Sequence, residues 1–156
     1  MKTVELETTL NAAPDRVWEE LKKPELLLHI AAGVLSFRPI KPPAFPPRWT
    51  PGEYEVAMLW KGFLPVGRQM IVIEYPEPKD GERFVRDNGR GGLIRTWDHL
   101  ITVAPLDDGR TRYVDRVRID AGALTPFVVL FAERFYRHRQ KRWRELAEND
   151  FDYAAC

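Results

Sequence analysis

The chain has 156 residues, enough for one domain with a full core or with a shell around a cavity. Its apolar content is an ordinary 44%, which sets aside disordered and membrane-embedded classes, and a net charge of +1 argues against a nucleic-acid binder, which needs a basic surplus. The longest unbroken apolar run, Phe127 to Ala132, falls far short of the roughly 20 residues of a membrane-spanning helix, so no span is expected.

After Met1-Lys2-Thr3 the chain alternates instead of entering an apolar run, so no secretory signal is expected. Thr3 to Leu10 reads as a half-buried strand, with Val4, Leu6, Thr8 and Leu10 on one face. Pro14 suits the first turn of a helix, Asp15 sits near its positive end, and Val17, Trp18 and Leu21 form its buried stripe. Pro24 breaks that helix and starts another over Glu25 to Ala31, so two short helices join in a V that Gly33 ends.

Val34 to Ile40 is the expected second strand. Six prolines between Pro39 and Pro51 then hold the chain extended, as a lid, an entrance or a simple span. Trp49 within this loop either closes over an entrance or packs the loop down. Glu53 to Lys61, Val66 to Tyr75, Glu82 to Asn88, Ile94 to Val103 and Arg112 to Asp120 supply five more strands. Turns are expected at Lys79-Asp80-Gly81, at Gly89 to Gly92, and at Asp107-Asp108-Gly109. Last comes one long amphipathic helix from Leu124 to Asn149, with Thr125 as its expected cap and Pro126 at its first position. At about 1.5 Å per residue it is long enough to overrun the strands. Consecutive hairpins followed by a single long helix define an α+β arrangement, one domain over residues 1–156.

The last hairpin can be aligned by its faces. A three-residue loop at Asp107-Asp108-Gly109 puts Val103 opposite Tyr113, Ile101 opposite Asp115, His99 opposite Val117 and Trp97 opposite Ile119, all on one face. The other face is mostly polar, and Asp98 opposite Arg118 reads as an exposed cross-strand pair. On the inner face only His99 and Asp115 are ionisable. They are diagonal neighbours, and an apolar surface obliges both to find partners.

Placing helix residues every 100° gives an apolar arc of Val128, Val129, Phe131, Ala132, Phe135, Tyr136, Trp143, Leu146 and Ala147. Arg139 intrudes near its middle and Arg142 nearer one edge. Gln140 falls on the solvent arc with Glu133, Arg134, Arg137, Lys141, Arg144 and Glu148. The basic run Arg137 to Arg144 reads as a solvated face whose cations suit the negative end of the helix, with an anion patch as the sharper reading.

The opening Asn11-Ala12-Ala13-Pro14-Asp15-Arg16-Val17-Trp18, the closing Phe135-Tyr136-Arg137-His138-Arg139 with Arg142-Trp143, and the order of elements resemble the START-like superfamily, also called Bet v 1-like or SRPBCC, which includes polyketide cyclases. Trp97-Asp98-His99 with Thr111, Tyr113 and Asp115 resembles its uncharacterised bacterial members. The likeness spans the chain, but its motifs are diffuse and carry no catalytic signature. It implies a helix-grip fold: a seven-stranded antiparallel sheet curled around a long C-terminal helix, two short helices between the first strands, and a deep apolar cavity. Members bind lipids, sterols, polyketides or plant hormones, and a minority catalyse cyclisation, dehydration or hydrolysis. The fold alone does not name the reaction.

Ser36 is the only serine and lacks G-x-S-x-G flanks, which nearly excludes serine-hydrolase chemistry. Cys156 is the only cysteine, so no internal disulfide can form; this fits a cytoplasmic setting and makes a poor nucleophile candidate. His29, His99 and His138 are far apart, so no metal site and no cofactor are expected. Gly89, Gly91 and Gly92 precede neither a Lys-Ser/Thr pair nor a helix and read as a hairpin turn.

His99 with Asp115 is the one catalytic candidate pair: the carboxylate orients the imidazole as a general acid or base, or the two form a structural polar cluster in which Arg139 satisfies Asp115 and His99 bonds backbone or water. The expected ligand-binding set is Tyr54, Met58, Trp60, Trp97, His99, Ile101, Tyr113, Asp115, Val117, Phe131, Phe135 and Arg139. Three functions stay open: a protein that sequesters or carries an apolar or amphipathic, lipid- or polyketide-like small molecule in a cavity of several hundred Å³, a cyclase or dehydratase using His99, and an accessory protein that docks through the basic helix end. A monomer and a homodimer fit the sequence equally.

Overall fold

The computed structural model describes residues 1–155, and Cys156 lies outside them. The elements follow in the order β1 (Lys2–Leu10), α1 (Pro14–Leu21), α2 (Pro24–Ala31), β2 (Leu35–Lys41), β3 (Gly52–Trp60), β4 (Leu64–Glu74), β5 (Arg83–Gly91), β6 (Ile94–Pro105), β7 (Thr111–Asp120) and α3 (Thr125–Glu148). All seven strands pair antiparallel in one sheet of order β1-β7-β6-β5-β4-β3-β2, which curls around α3 as a helix-grip fold.

Local chemistry accounts for most boundaries. Proline at the first position of α1 and α2 and at the second of α3 supplies the preset φ that a first turn needs. Gly33, at φ +90°, ends the V of α1 and α2 where only glycine is unstrained. The β6–β7 register places Trp97, His99, Ile101 and Val103 opposite Ile119, Val117, Asp115 and Tyr113, as the alternation requires.

Four expectations change. Gly89 and Gly91 belong to β5 and not to a turn, which is only Gly92-Leu93. Their missing side chains allow close strand approach: a Cβ on Gly91 would lie 2.7 Å from the Arg68 carbonyl oxygen. Thr125 does not cap α3; its Oγ1 accepts from the Ala121 N–H and donates to the Gly122 carbonyl, fastening the short 3-10 turn that precedes the helix. The last turns of α3 do not overhang, because Trp143, Leu146 and Ala147 are buried with Leu10, Val17, Leu21 and Phe151. Gln140 is buried and not on the solvent arc, since it lies four residues after Tyr136 and three before Trp143 on the inward side.

The helix is tied to α2 through backbone carbonyls. His138 Nε2 lies 2.7 Å from the Ala32 oxygen, and Arg142 Nε donates to the His29 oxygen at 2.8 Å. The Ala32 carbonyl lies just past the end of α2, and Arg142 adds a second donor to a His29 carbonyl that already accepts from the Ala32 N–H. Part of the basic run therefore fastens helix to helix. No helix among the described residues is long and apolar enough to cross a membrane.

Candidate functional site

The core divides unevenly. β1 and β7 lie directly under α3, and their inward side chains are packed solid: Val4, Val117 and Ile119 are buried against Ala132, Phe135 and Tyr136. On the other side the sheet curls away, and a cavity of about 380 Å³ opens between α2, α3 and β2 to β6. None of its lining residues comes from β1 or β7.

That division sorts the expected ligand-binding residues. Met58, Trp60, Trp97, His99, Ile101, Phe131, Phe135 and Arg139 line the cavity. Tyr113, Asp115 and Val117 do not, because β7 sits beneath the helix, and Tyr54 does not either. The Tyr54 ring turns to Trp49, at 4.9 Å between centroids, and its hydroxyl donates to the Thr50 carbonyl at 2.9 Å.

Trp49 resolves the role of the proline-rich loop. It is buried and lines the cavity; its N–H donates to the Lys22 carbonyl at 2.7 Å, and its own carbonyl accepts from Tyr75 Oη at 2.8 Å. The loop is packed down as an end wall. At the opposite end lie the tips of the β3–β4 and β5–β6 hairpins and the first turns of α3. There Phe63, Leu93 and Phe127 are 70%, 78% and 73% exposed, an apolar rim beside the lining residues Trp60, Val66, Ile94 and Phe131.

His99 and Asp115 are in contact, with Nε2 and Oδ1 2.7 Å apart. The pair sits in a buried polar cluster, but Arg139 makes no hydrogen bond to Asp115 in it. Asp115 accepts instead from Gln140 Nε2 at 2.9 Å and from Tyr113 Oη at 3.3 Å. Burial pushes the Asp115 carboxyl up, but the hydrogen bonds and nearby cationic charge outweigh it and hold the group below its ordinary value. Burial also pulls His99 below its ordinary value, against the opposing pull of Asp115. An ionised carboxylate facing a neutral imidazole fixes the tautomer: Nε2 carries the proton and donates, and Nδ1 is the basic nitrogen. Tyr136 packs edge-on to this ring at 4.8 Å, and its hydroxyl accepts from Trp97 Nε1 at 3.2 Å.

One further ionisable group, Asp87, was missed in the sequence. Asp87 on β5 lies directly opposite His99 on β6 and Ile73 on β4, and it lines the cavity. Its Oδ1 accepts from the Val72 N–H at 2.8 Å, where a side chain takes the place of a strand–strand bond. Although the cavity reaches it, apolar surroundings push its carboxyl up to about 7; the Val72 hydrogen bond and the Arg139 charge only partly offset this. The alternation Val85, Asp87, Gly89 was the available signal, since it puts Asp87 on the same face as Val85. Asp98, expected as an exposed partner of Arg118, is buried; Arg86 grips it through Nε at 2.7 Å and Nη2 at 3.0 Å, while Arg118 stays at 3.5 Å.

The helix grip with its one-sided cavity is a START-like fold. The structure of a START superfamily protein from Mycobacterium smegmatis superposes with a TM-score of 0.64 at 12% identity, covering 94% of this chain and 97% of that one. A conserved protein from Geobacillus kaustophilus gives 0.63 at 16% identity over 95% and 96%, and a protein from Mesorhizobium loti gives 0.67 at 13% identity over 95% and 98%. Likeness at this identity concerns the fold. No curated protein matches the sequence. Residues 43–147 match a domain of unknown function, DUF8410, and the chain belongs to that family.

Proposed function

We propose that this protein binds a hydrophobic or amphipathic small molecule in the cavity between the sheet and α3. The observation that carries the reading is the 380 Å³ space itself, walled mostly by apolar side chains with a few convergent polar groups. Pockets that hold drug-sized ligands span roughly 300–1,000 Å³ and have this composition. A neutral apolar fluorophore such as Nile red should bind saturably, one per chain, and quench Trp97. Val85→Phe, which projects into the space, should abolish uptake while the variant still melts cooperatively. A parent protein that takes up no apolar probe would overturn the reading.

A second reading is an acid–base enzyme of the cyclase or dehydratase kind, favoured by the short His99–Asp115 contact beside the cavity. Neutral His99 would take a proton on Nδ1 while Asp115 stabilises the resulting imidazolium. Its test is deuterium exchange at the central carbon of an aryl β-diketone bound by the protein. His99→Ala should bind the diketone and lose accelerated exchange; exchange at the parent rate would sink this idea. Docking through Arg137, Lys141 and Arg144 has less support, because Arg144 donates to Thr8 Oγ1 at 2.9 Å and Lys141 sits 3.8 Å from Glu145.

A further inference from the structure

Arginines in this protein are generally engaged: Arg86 with Asp98, Arg112 with Glu7, Arg116 with Glu5, Arg142 with the His29 carbonyl. Arg38, Arg95, Arg134 and Arg137 show no such bond but lie exposed to solvent, whereas Arg139 does not. It is 93% buried and lines the cavity, yet no hydrogen bond or ion pair joins it to any described residue. Its Nε is one of two buried side-chain polar atoms without a partner among the described residues, the other being Trp143 Nε1. Burying a guanidinium without an acceptor is costly, so its retention at the middle of an apolar arc asks for a physical account.

The surroundings hold the charge without satisfying its hydrogens. The Phe135 and Tyr136 rings lie 5.6 and 4.9 Å from Cζ, attractive to the cation through their faces. Ring faces offer no acceptor in the guanidinium plane. Neither carboxylate within electrostatic range bonds it: Asp115 holds His99, Gln140 and Tyr113, and Asp87 accepts from the Val72 N–H. What remains is a planar fork of donors with a cavity in front of it.

We infer that the ligand is an apolar molecule ending in a carboxylate, with that carboxylate seated on the Arg139 guanidinium. The inference rests on the small-molecule reading above and names the class of molecule. A carboxylate accepts two parallel N–H bonds from a guanidinium, whereas a hydroxyl accepts one without opposite charge. A cationic head is repelled by Arg139. A dianionic phosphate meets a single cation with Asp87 on the wall of the same cavity and Asp115 within electrostatic range, so the site suits one negative charge. Val85, Ile101, Phe131 and Trp97 surround the body, and the volume fits a medium-chain or one- to two-ring acid.

The test displaces Nile red from the full chain at pH 8 with three matched amphiphiles: decanoate, decanol and decylamine. Decanoate should compete at a concentration at least about tenfold below decanol, the gain of a charge-assisted bidentate contact over a single neutral one, with decylamine weakest. In Arg139→Met, which keeps length and removes the donors, the ratio of the decanol to the decanoate displacing concentration should fall to about one or below, a comparison made within the variant and so independent of its own affinity for Nile red. Arg139→Lys, which keeps charge but not the fork, should retain part of the decanoate advantage. The parent ranking decides even where a variant fails to fold. Decanol or decylamine equal to decanoate, or an acid preference that survives in Arg139→Met, overturns the carboxylate assignment and leaves the cavity reading intact. If neither Nile red nor any of the three binds, both readings fall.

Discussion

Replacing Asp87 by asparagine should stabilise this protein, and the gain should depend on pH in one direction. An aspartate with an ordinary value of 3.8 is pushed up to about 7 in the folded state, so folding favours the protonated form. Such a group contributes stability that is fully present below its unfolded value and is lost as pH rises towards the folded one. Asparagine is neutral throughout and keeps an oxygen for the Val72 N–H. A shift of about three units corresponds to at most about 4 kcal/mol, and water in the cavity reduces this to about 2–4 kcal/mol. For a chain of this length that is about 5–10 °C in Tm. Urea unfolding of parent and variant from pH 4 to pH 8 provides the assay. The difference should be small near pH 4, grow through pH 4–7 and level off above. Comparing the pair also cancels the opposite contribution of His99, whose lowered value makes the protein lose stability as pH falls through the ordinary histidine range. A variant equal to or weaker than the parent at pH 8, or a pH-independent difference, would refute the reasoning.

Gly91→Ala should cost about 1–3 kcal/mol, because its Cβ meets backbone at 2.7 Å, whereas Gly92→Ala meets nothing within 4 Å and should be near neutral; chemical denaturation of the two separates the effects. Gln140→Leu removes bonds to Asp115 and to the Leu6 carbonyl and should destabilise by about 1–3 kcal/mol, read by the same method. Nitrogen-15 spectra should show the His99 proton on Nε2 at pH 7 and no imidazolium until the pH falls below the ordinary histidine value; the opposite tautomer would break the assigned His99–Asp115 geometry.

The architecture was largely legible because its signals are local. Strand alternation, proline at helix starts and a fixed hairpin loop set the β6–β7 pairing to the residue. The cavity was legible in part: facing patterns pick out Met58 and Trp60 on β3, Trp97, His99 and Ile101 on β6, and Phe131, Phe135 and Arg139 on α3, whereas the β7 residues do not reach it. His99 and Asp115 follow from cross-strand geometry, but which half of the inner face is packed depends on how the sheet curls against α3, and no single strand encodes that. Tyr113 and Val117 thus resemble Trp97 and Ile101 in sequence while lying on the filled side. Asp87 was overlooked because its strand was read as ending near it, with the glycines taken for a turn. Gln140 was placed by polarity, although its spacing from Tyr136 and Trp143 already put it inside.

The two halves of α3 are secured very differently. Past Tyr136 it is bolted to α2 by His138 and Arg142, to Asp115 by Gln140 and to Thr8 by Arg144. Before it, Phe127 and Leu130 face outward, and the polar contacts of the first turns end at Thr125. Polar anchorage is thus confined to the half of α3 that carries Arg139, and the half nearest the hairpin tips is held to the sheet by apolar packing of Val128, Ala132 and Phe135.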